Sequence, residues 1–327
     1  MAKWYFDEDG DLNHLEGLTV GIFGYGNQGR SQALNMRDNG VKVIVGSRSD
    51  PSAEKSKEDG FETMSLAAAA TKSDILFVLL PDEIMPMVYE EHIKPNLSSG
   101  NTLVFASGYN IFFKKIVPNN TLNVLMIAPR MVGRGVRDMV LSGRGYPSLV
   151  AVDQDATGNA QELLIALSKA IGSTMMGVIE SSFEEETIVD LFAEHSGYLH
   201  SVRRAYEALT EAGCSPESVM LELYASGEVR ESADYMMEFG LFEQLKLHSR
   251  TSQYGQSVYG RPSPEEEKAD KKRQLQMIEN IRDGTFAAEW SKVQEDGGKA
   301  LEDARVALFN DPMIQKEREL YKLLGRL

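Results

Sequence analysis

The sequence is poor in cysteine and lacks any long apolar run. Cys214 is the single cysteine among 327 residues, which excludes an internal disulfide and suggests a reducing compartment. No apolar stretch approaches the roughly 20 residues that a membrane-spanning helix needs. The opening residues, MAKWYFDEDGDL, lack the apolar centre of a signal peptide. These absences predict a soluble, cytoplasmic protein that has no membrane partner.

Basic residues are outnumbered as well. The chain has 34 Lys and Arg against 49 Asp and Glu, so its formal net charge is -15. A nucleic-acid partner is therefore not expected, because nucleic acids attract basic surfaces. A local basic pocket could still hold a small anionic substrate. The length is sufficient for two domains, each with its own core.

Short apolar runs recur through the first half of the chain, separated by stretches with helical spacing. The runs lie at 18–24, 41–48, 74–81, 102–107, 122–129 and 146–153. This alternation predicts a parallel sheet that is covered on both faces. After about residue 182 the apolar positions recur every three to four residues, which predicts helices and no further strand.

The first strand leads directly into the glycine motif GYGNQG. Gly24 would permit the tight turn, Gly26 would let the backbone approach a pyrophosphate, and Gly29 would let the helix pack on the strand. A turn that merely needs glycines is the alternative, but the strand–loop–helix context favours a dinucleotide site. We therefore predict an α/β fold, with a Rossmann NAD(P)-binding domain over residues 1–182 and an all-helical domain over 183–327.

The end of the second strand bears on the choice between NADH and NADPH. Asp50 lies where an acceptor for the ribose 2'-hydroxyl is expected, and a carboxylate would repel a 2'-phosphate. Its neighbours could hold that phosphate instead; they are Ser47, Arg48, Ser49 and Ser52. Asp50 followed by Pro51 could also form a simple turn. The pattern slightly favours NADH.

Two other patterns suggest charged chemistry. Arg130 follows the strand at 122–129, and glycines stand at 133 and 135, which suggests the rim of an anion site. Its planar fork suits a substrate carboxylate. Asp190 and Glu194 are four residues apart and should project from one helix face, where they could share Mg2+. A solvated acidic face is the alternative for this pair.

Several motifs together resemble class I ketol-acid reductoisomerase across essentially the whole chain. They are LTVGIFGYGNQGRSQALNMRDNGV, LLPDE at 79–83, VDLFAEH at 189–195, TSQYG at 251–255 and IRDGTFAAEW at 281–290. The resemblance implies a Rossmann domain followed by a knotted helical domain, and a homodimer with interlocked helical domains. It also implies two Mg2+ ions and NADPH, sometimes NADH. The family reaction is alkyl migration in a 2-acetohydroxy acid followed by reduction of the 2-keto acid.

The resemblance also assigns residues. The cofactor would contact the glycine loop and the LLPDE turn, including Tyr25, Asn27, Gln28, Pro81 and Asp82. The metal ligands would be Asp190, Glu194 and, from the partner chain, Glu222, with Ser249 as a substrate contact.

Three positions depart from the family pattern. Ser107 stands where the family has histidine, Arg130 replaces a lysine, and Ser226 replaces a second glutamate. Serine cannot carry a proton as imidazole does, and arginine does not readily release one. Loss of a carboxylate weakens a metal site that the migration needs.

These departures leave three functions open. The first is an NAD(P)H-dependent oxidoreductase that reduces a small 2-keto or imino acid without migration, with Ser107, Arg130, Asp190 and Glu194 at its catalytic site. The alternative is a true ketol-acid reductoisomerase that converts 2-acetolactate to 2,3-dihydroxyisovalerate in branched-chain amino-acid biosynthesis. A second alternative is a dinucleotide-binding protein without activity.

Overall fold

In the part of the chain that the structure describes, strands are confined to the first 180 residues. The computed structural model describes residues 2–48, 50–195 and 197–326. The strands are β1 (Trp4–Tyr5), β2 (Thr19–Phe23), β3 (Lys42–Gly46), β4 (Glu62–Met64), β5 (Ile75–Val78), β6 (Thr102–Phe105), β7 (Asn123–Pro129), β8 (Ser148–Gln154) and β9 (Val178–Glu180).

Helices alternate with these strands and then continue alone. Those among the strands are α1 (Asn27–Asp38), α2 (Pro51–Glu58), α3 (Leu66–Lys72), α4 (Met85–Val88), α5 (Tyr109–Phe112), α6 (Gly133–Leu141) and α7 (Ala160–Ala170). Those after the last strand are α8 (Phe183–His195), α9 (Tyr198–Glu211), α10 (Pro216–Met220), α11 (Glu228–Phe239), α12 (Arg250–Tyr254), α13 (Pro264–Arg282), α14 (Thr285–Glu295), α15 (Lys299–Phe309) and α16 (Pro312–Leu323).

The strands form one sheet in the order β1-β9-β8-β7-β6-β5-β2-β3-β4. The neighbours from β4 to β7 are parallel, as the alternating pattern predicts. The prediction of a wholly parallel sheet is wrong, because β8 runs antiparallel to β7 and β1 runs antiparallel to β9. The carboxyl ends of β2, β3, β5, β6 and β7 therefore share one edge of the sheet.

The six predicted strands all form, but three short ones were missed. β1 has two residues, while β4 and β9 have three each. β4 has the sequence ETM, and β9 ends in Glu180. Runs this short and polar carry no period-2 signal, and they form because an adjacent strand offers its hydrogen-bonding edge.

Alternate residues of the central strands pack on opposite faces of the sheet, since side chains alternate along a strand. Phe77 packs with the core on the side of α1 and α7. Its neighbours Leu76 and Val78 join the core on the side of α3. The prediction of a sheet with both faces covered is therefore confirmed.

The chain divides into two compact units, one ending at Asp190 and the other beginning at Leu191. The second unit is helical, and its described residues contain no strand. A small core there is formed by Tyr206, Val219, Met220, Ala225 and Leu320. Within the part of the chain that the structure describes, no helix combines the length and the apolar character that membrane crossing requires.

Candidate active site

The first unit has a cavity of about 490 Å3 at the carboxyl ends of its parallel strands. After β2 the chain passes to β3 and β4 on one side, and it returns to β5, β6 and β7 on the other. Such a reversal of strand order leaves a crevice, which is where open α/β sheets bind ligands. The lining residues include Gly24, Tyr25, Gly26, Asn27, Gln28, Arg48, Asp50, Ser52 and Pro81.

The three glycines of the loop have different environments. Gly24 has φ +101°, and a Cβ there would lie 2.4 Å from the Leu79 carbonyl oxygen. A Cβ on Gly29 would lie 1.9 Å from the Gly24 carbonyl oxygen, so α1 can approach β2 only with glycine at this position. A Cβ on Gly26 would meet open space. Gly24 and Gly29 thus shape the loop, while Gly26 keeps room above it.

Tyr25 lines the cavity but keeps its hydroxyl group inside the protein. The side chain is buried, and its hydroxyl donates to Asp59 at 2.9 Å. Arg30 also donates to Asp59, at 2.6 Å, and this pairing holds the pKa of Asp59 below its usual value. Burial and the hydrogen bond to Asp59 raise the pKa of Tyr25. The tyrosine therefore anchors the loop to the end of α2, with its hydroxyl hydrogen donated to Asp59.

Asp50 forms the N-cap of α2. Its carboxylate accepts from the backbone N–H groups of Ser52 at 3.0 Å and Ala53 at 3.2 Å. Ser47 donates to the same oxygen at 3.3 Å. Asp50 therefore already places a negative charge at the helix end where an added phosphate would otherwise find N–H donors. Ser49, which the sequence offers as a phosphate contact, lies outside the described residues.

The turn after β5 contributes one of its two predicted cofactor contacts to the cavity wall. Pro81 lines the cavity, whereas Asp82 is not among the lining residues. Asp82 instead accepts from the buried Asn110 side chain at 3.1 Å. This hydrogen bond connects the turn to α5. Asp82 therefore holds the turn in place and does not itself line the cavity.

Arg130 lies at the end of β7 and pairs with two carboxylates of α8. Its Nη2 donates to Glu186 Oε1 at 2.7 Å, and its Nη1 donates to Asp190 Oδ1 at 2.9 Å. The arginine side chain is 28% exposed, while that of Asp190 is 41% exposed. Both terminal nitrogens of the fork therefore have protein partners. A substrate carboxylate at Arg130 would have to share or displace them.

Glu186 is the member of this cluster that the sequence analysis missed. Its side chain is 1% exposed, and its Oε2 accepts from the backbone N–H of Gly108 at 2.6 Å. Burial raises its pKa, although the bonds from Gly108 and Arg130 oppose this effect. Its position in the sequence could have identified it, because Glu186, Asp190 and Glu194 follow one another at intervals of four residues and so project from one helix face.

The loop after β6 fits closely against the start of α8. A Cβ on Gly108 would lie 2.2 Å from the Phe183 carbonyl oxygen, so a side chain there would push the helix away. Ser107 precedes this glycine, and its hydroxyl accepts from the Tyr109 N–H at 3.2 Å. Ser107 thus lies at the same sheet edge as Arg130, in a local turn.

The segment after Arg130 also contacts the glycine loop. The Gln28 side-chain amide donates to the Met131 carbonyl oxygen at 3.0 Å. A Cβ on Gly133 would lie 2.5 Å from Asn27 Cβ, so the two loops are in close contact. Consequently, the dinucleotide loop and the arginine are positioned together.

The remaining predicted residues belong to the helical unit. Glu194 on α8 is exposed, as is Glu222, which lies in the π-helical turn Leu221–Ala225. π-Helical turns are frequent at functional sites. Ser226 follows that turn and accepts from the Glu228 N–H at 3.3 Å. Ser249 forms the N-cap of α12 and accepts from the Ser252 N–H at 3.2 Å.

The available donors suit a hard cation in chemistry but are few within one chain. Asp190 and Glu194 supply carboxylate oxygens from one helix, the ligand type that Mg2+ prefers. Among residues 2–48, 50–195 and 197–326, no group of three or more His, Cys, Asp or Glu side chains is arranged to hold a metal. Further donors would have to come from water, substrate or another chain.

Two family models match nearly the entire chain. The acetohydroxy acid isomeroreductase NADPH-binding domain matches residues 14–177, and the ketol-acid reductoisomerase C-terminal domain matches residues 183–325. The chain belongs to the ketol-acid reductoisomerase family. The predicted family, the fold class of a Rossmann domain followed by a helical domain, and the enzyme class of NAD(P)H-dependent oxidoreductase are therefore confirmed.

Known relatives agree over the full length. The chain is 40% identical over 330 residues to the ketol-acid reductoisomerase (NADP(+)) of Methanopyrus kandleri, covering 99% of each chain. It is 40% identical to that of Pyrococcus abyssi, covering 99% of this chain and 98% of the relative. A solved NADH-preferring ketol-acid reductoisomerase from an uncultured archean is 35% identical, with a TM-score of 0.91, covering 98% of this chain and 99% of the other.

Substitutions at Gly26 and Gly29 should separate cofactor binding from folding. Gly26→Asn keeps a residue favoured as an N-cap but fills the open space above the loop. It should weaken NADH binding at least roughly tenfold, because the pyrophosphate can no longer approach the backbone. Gly29→Ala should instead lower the free energy of unfolding by about 1–3 kcal/mol through overpacking.

Fluorescence titration with NADH and urea denaturation would measure these two effects. Unchanged cofactor affinity in Gly26→Asn would exclude the proposed pyrophosphate position. An unchanged urea midpoint in Gly29→Ala would show that the loop tolerates a wider separation of α1 from β2.

Proposed function

We propose that this protein reduces a small 2-keto acid, or the related imino acid, with a nicotinamide cofactor and without alkyl migration. A nicotinamide cofactor held by the glycine loop would supply a hydride to the carbonyl or imine carbon, and the oxygen or nitrogen of that group would take a proton from solvent. The main observation behind this proposal is that Arg130 forms ion pairs with Glu186 and Asp190. The glycine loop that would hold the cofactor has the geometry that dinucleotide binding needs.

The pairing of Arg130 bears on the two halves of the family reaction differently. Guanidinium does not readily release a proton, so Arg130 is unsuited to proton transfer during migration. Its positive charge at the sheet edge still favours an anionic substrate and a carbonyl oxygen that gains negative charge during hydride transfer. A bound Mg2+, held by Asp190, Glu194 and the partner chain's Glu222, would supply further polarisation of that oxygen.

Ser107 supports the same proposal. It lies at the end of β6, on the edge shared with Arg130, and its hydroxyl accepts from the Tyr109 N–H. A hydroxyl group can donate a hydrogen bond to a substrate oxygen, but it is not a proton carrier near neutral pH. Ser107 would thus orient a carbonyl group for reduction, and Ser249 would contact the substrate from the helical domain.

A complete reductoisomerase activity is the second candidate. The full-length identity of 40% to reductoisomerases favours it. In that case 2-acetolactate would be rearranged and reduced to 2,3-dihydroxyisovalerate. The residues at 107, 130 and 226 would then have to support migration with a serine, an arginine and a serine.

We also propose that NADH is preferred. Asp50 occupies the N-terminus of α2, and its charge would repel a ribose 2'-phosphate. Arg48 is the neighbouring group on the cavity wall that could attract this phosphate. The NADH-preferring relative among solved structures supports the same choice.

The helical domain is proposed to form an interlocked homodimer. Several large apolar side chains of this domain are exposed in the single chain, including Leu199, Phe242, Tyr259 and Leu323 at 75–83%. The domain also has an apolar cavity of about 510 Å3 lined by Tyr198, Leu199, Leu308 and Phe309, among others. Apolar surface of this extent in a soluble enzyme indicates an interface, and a second copy is the occupant that the family implies.

A turnover screen tests the proposed reaction. Purified protein would be given 2-acetolactate or a simple 2-keto acid, with NADH or NADPH, and with or without Mg2+. We expect NADH oxidation with the 2-keto acid and no rearranged dihydroxy acid from 2-acetolactate. The Gly26→Asn variant serves as the control, because its weaker NADH binding should reduce NADH oxidation at limiting cofactor concentration. Efficient conversion of 2-acetolactate to the dihydroxy acid would instead establish the second candidate.

Cofactor preference is tested by Asp50→Ser, which retains a good N-cap but removes the charge. The ratio of kcat/KM for NADPH to that for NADH should rise by roughly tenfold or more, because like charges in contact are costly. Glu54→Ser is the matched control, since Glu54 lies on the first turn of α2 but does not line the cavity. An unchanged ratio in Asp50→Ser would contradict the role of this carboxylate.

The dimer is tested by sedimentation at micromolar concentration. We expect a stable dimer for the native chain. Joint replacement of Phe242 and Tyr259 by aspartate should yield monomers or aggregates, because these exposed apolar side chains would no longer be covered. Lys268→Glu, at an exposed position on α13, should leave the dimer intact. A folded native monomer would refute the proposal.

A further inference from the structure

Arg130 has two contacts on its buried side and a third with a more exposed carboxylate. Glu186 is 1% exposed and is fixed by the Gly108 N–H at 2.6 Å, whereas Asp190 is 41% exposed. The arginine Nε also donates to the Ala128 carbonyl oxygen at 3.3 Å. The guanidinium is therefore anchored by two contacts, with the buried Glu186 carboxylate and with the Ala128 carbonyl oxygen, and its remaining terminal nitrogen is directed at the more exposed Asp190 carboxylate.

This arrangement uses one oxygen of Asp190. The 2.9 Å bond from Arg130 Nη1 ends on Oδ1, and a positive charge lies within hydrogen-bond distance of the carboxylate. A divalent cation at Asp190 would be repelled by the Arg130 charge. The cation and Arg130 would also compete for the Asp190 carboxylate. Glu194, one turn further along α8, forms no such ion pair within the residues that the structure describes.

We propose that Arg130 is a built-in cation that competes with a divalent metal for Asp190 and so sets a weak metal affinity at this helix. The proposal rests on the proposed function in so far as Asp190 and Glu194 bind the metal. Arg130 acts here as a positioning residue for Asp190. Its anchor on Glu186 holds it beside Asp190.

The charges around Asp190 support this role. Glu186 faces Arg130 from the interior and offsets one charge, so the guanidinium and the two carboxylates have a combined charge of about one negative unit. Removing the arginine would leave two carboxylates near the position of the metal. Groups that surround a metal ligand commonly change metal affinity by roughly 10–100-fold.

The test is Mn2+ binding to the full-length protein, followed by the electron paramagnetic resonance of free Mn2+ without substrate or cofactor. Arg130→Met should bind Mn2+ roughly tenfold more tightly than the native protein, in line with the range for such groups. Arg130→Lys keeps the charge but loses the fork, and it should bind more tightly than the native protein, though less so than Arg130→Met. Adding Asp190→Asn to Arg130→Met should remove the gain.

Two controls guard against trivial explanations. Arg134 lies four residues after Arg130, and its side chain is 91% exposed. Arg134→Met removes this positive charge and should leave Mn2+ affinity unchanged. Because Arg130→Met leaves Glu186 buried without its cation, the double variant Arg130→Met with Glu186→Gln should be measured as well. It should retain tighter binding than the native protein if the fold is intact by circular dichroism.

The proposal would be overturned if the native protein, Arg130→Met and Arg130→Met with Glu186→Gln had equal Mn2+ affinity. The absence of binding in every variant at millimolar Mn2+ would overturn it as well. An equal gain in Arg134→Met would also overturn it, since the effect would then be general electrostatics. The proposed reduction is tested separately, by turnover of a 2-keto acid with the native protein. If that turnover is absent, the Mn2+ affinities can still be compared.

Discussion

The buried carboxylate of Glu186 is the constraint on which the candidate site depends. A charge that is 1% exposed is costly unless hydrogen-bonded partners surround it. Its partners come from the loop after β6, through the Gly108 N–H, and from the end of β7, through Arg130. One side chain on α8 thereby fixes the helix, the loop and the arginine against each other. The close approach at Gly108 is part of the same fit, because a Cβ there would separate them.

Local patterns predicted the cofactor crevice but not this cluster. The glycine motif could be interpreted from sequence because its function depends on backbone shape within six consecutive residues. Arg130 and Glu186 are 56 positions apart, and their pairing exists only once β7 and α8 have packed. Spacing singled out Asp190 and Glu194, and the same interval extended backwards reaches Glu186. What spacing cannot show is which member of such a series is buried.

The fold shows a similar division. Apolar strands such as β5 and β7 were predicted from their sequence, while the short strands β4 and β9 form because a neighbouring strand offers hydrogen bonds. The antiparallel placement of β8 has no local signature, since an apolar run looks alike in either direction. The sequence analysis interpreted Asp50 as an acceptor for the ribose 2'-hydroxyl or as part of a simple turn. The sequence Asp50-Pro51 is typical of a helix start, and the structure shows this carboxylate capping α2.

The two halves of the family reaction depend on different parts of this chain. Cofactor binding relies on backbone geometry at Gly24, Gly26 and Gly29, which tolerates little change because neighbouring atoms leave no space at two of these positions. The charged side chains at the rim form the other part, where Arg130 pairs with Glu186 and Asp190. The contacts of Gln28 with Met131 and of Asn27 with Gly133 hold the glycine loop close to the segment that follows Arg130. In the proposed reduction, Ser107 and Arg130 would orient a carbonyl group beside a nicotinamide held by this loop, because the two loops are in contact.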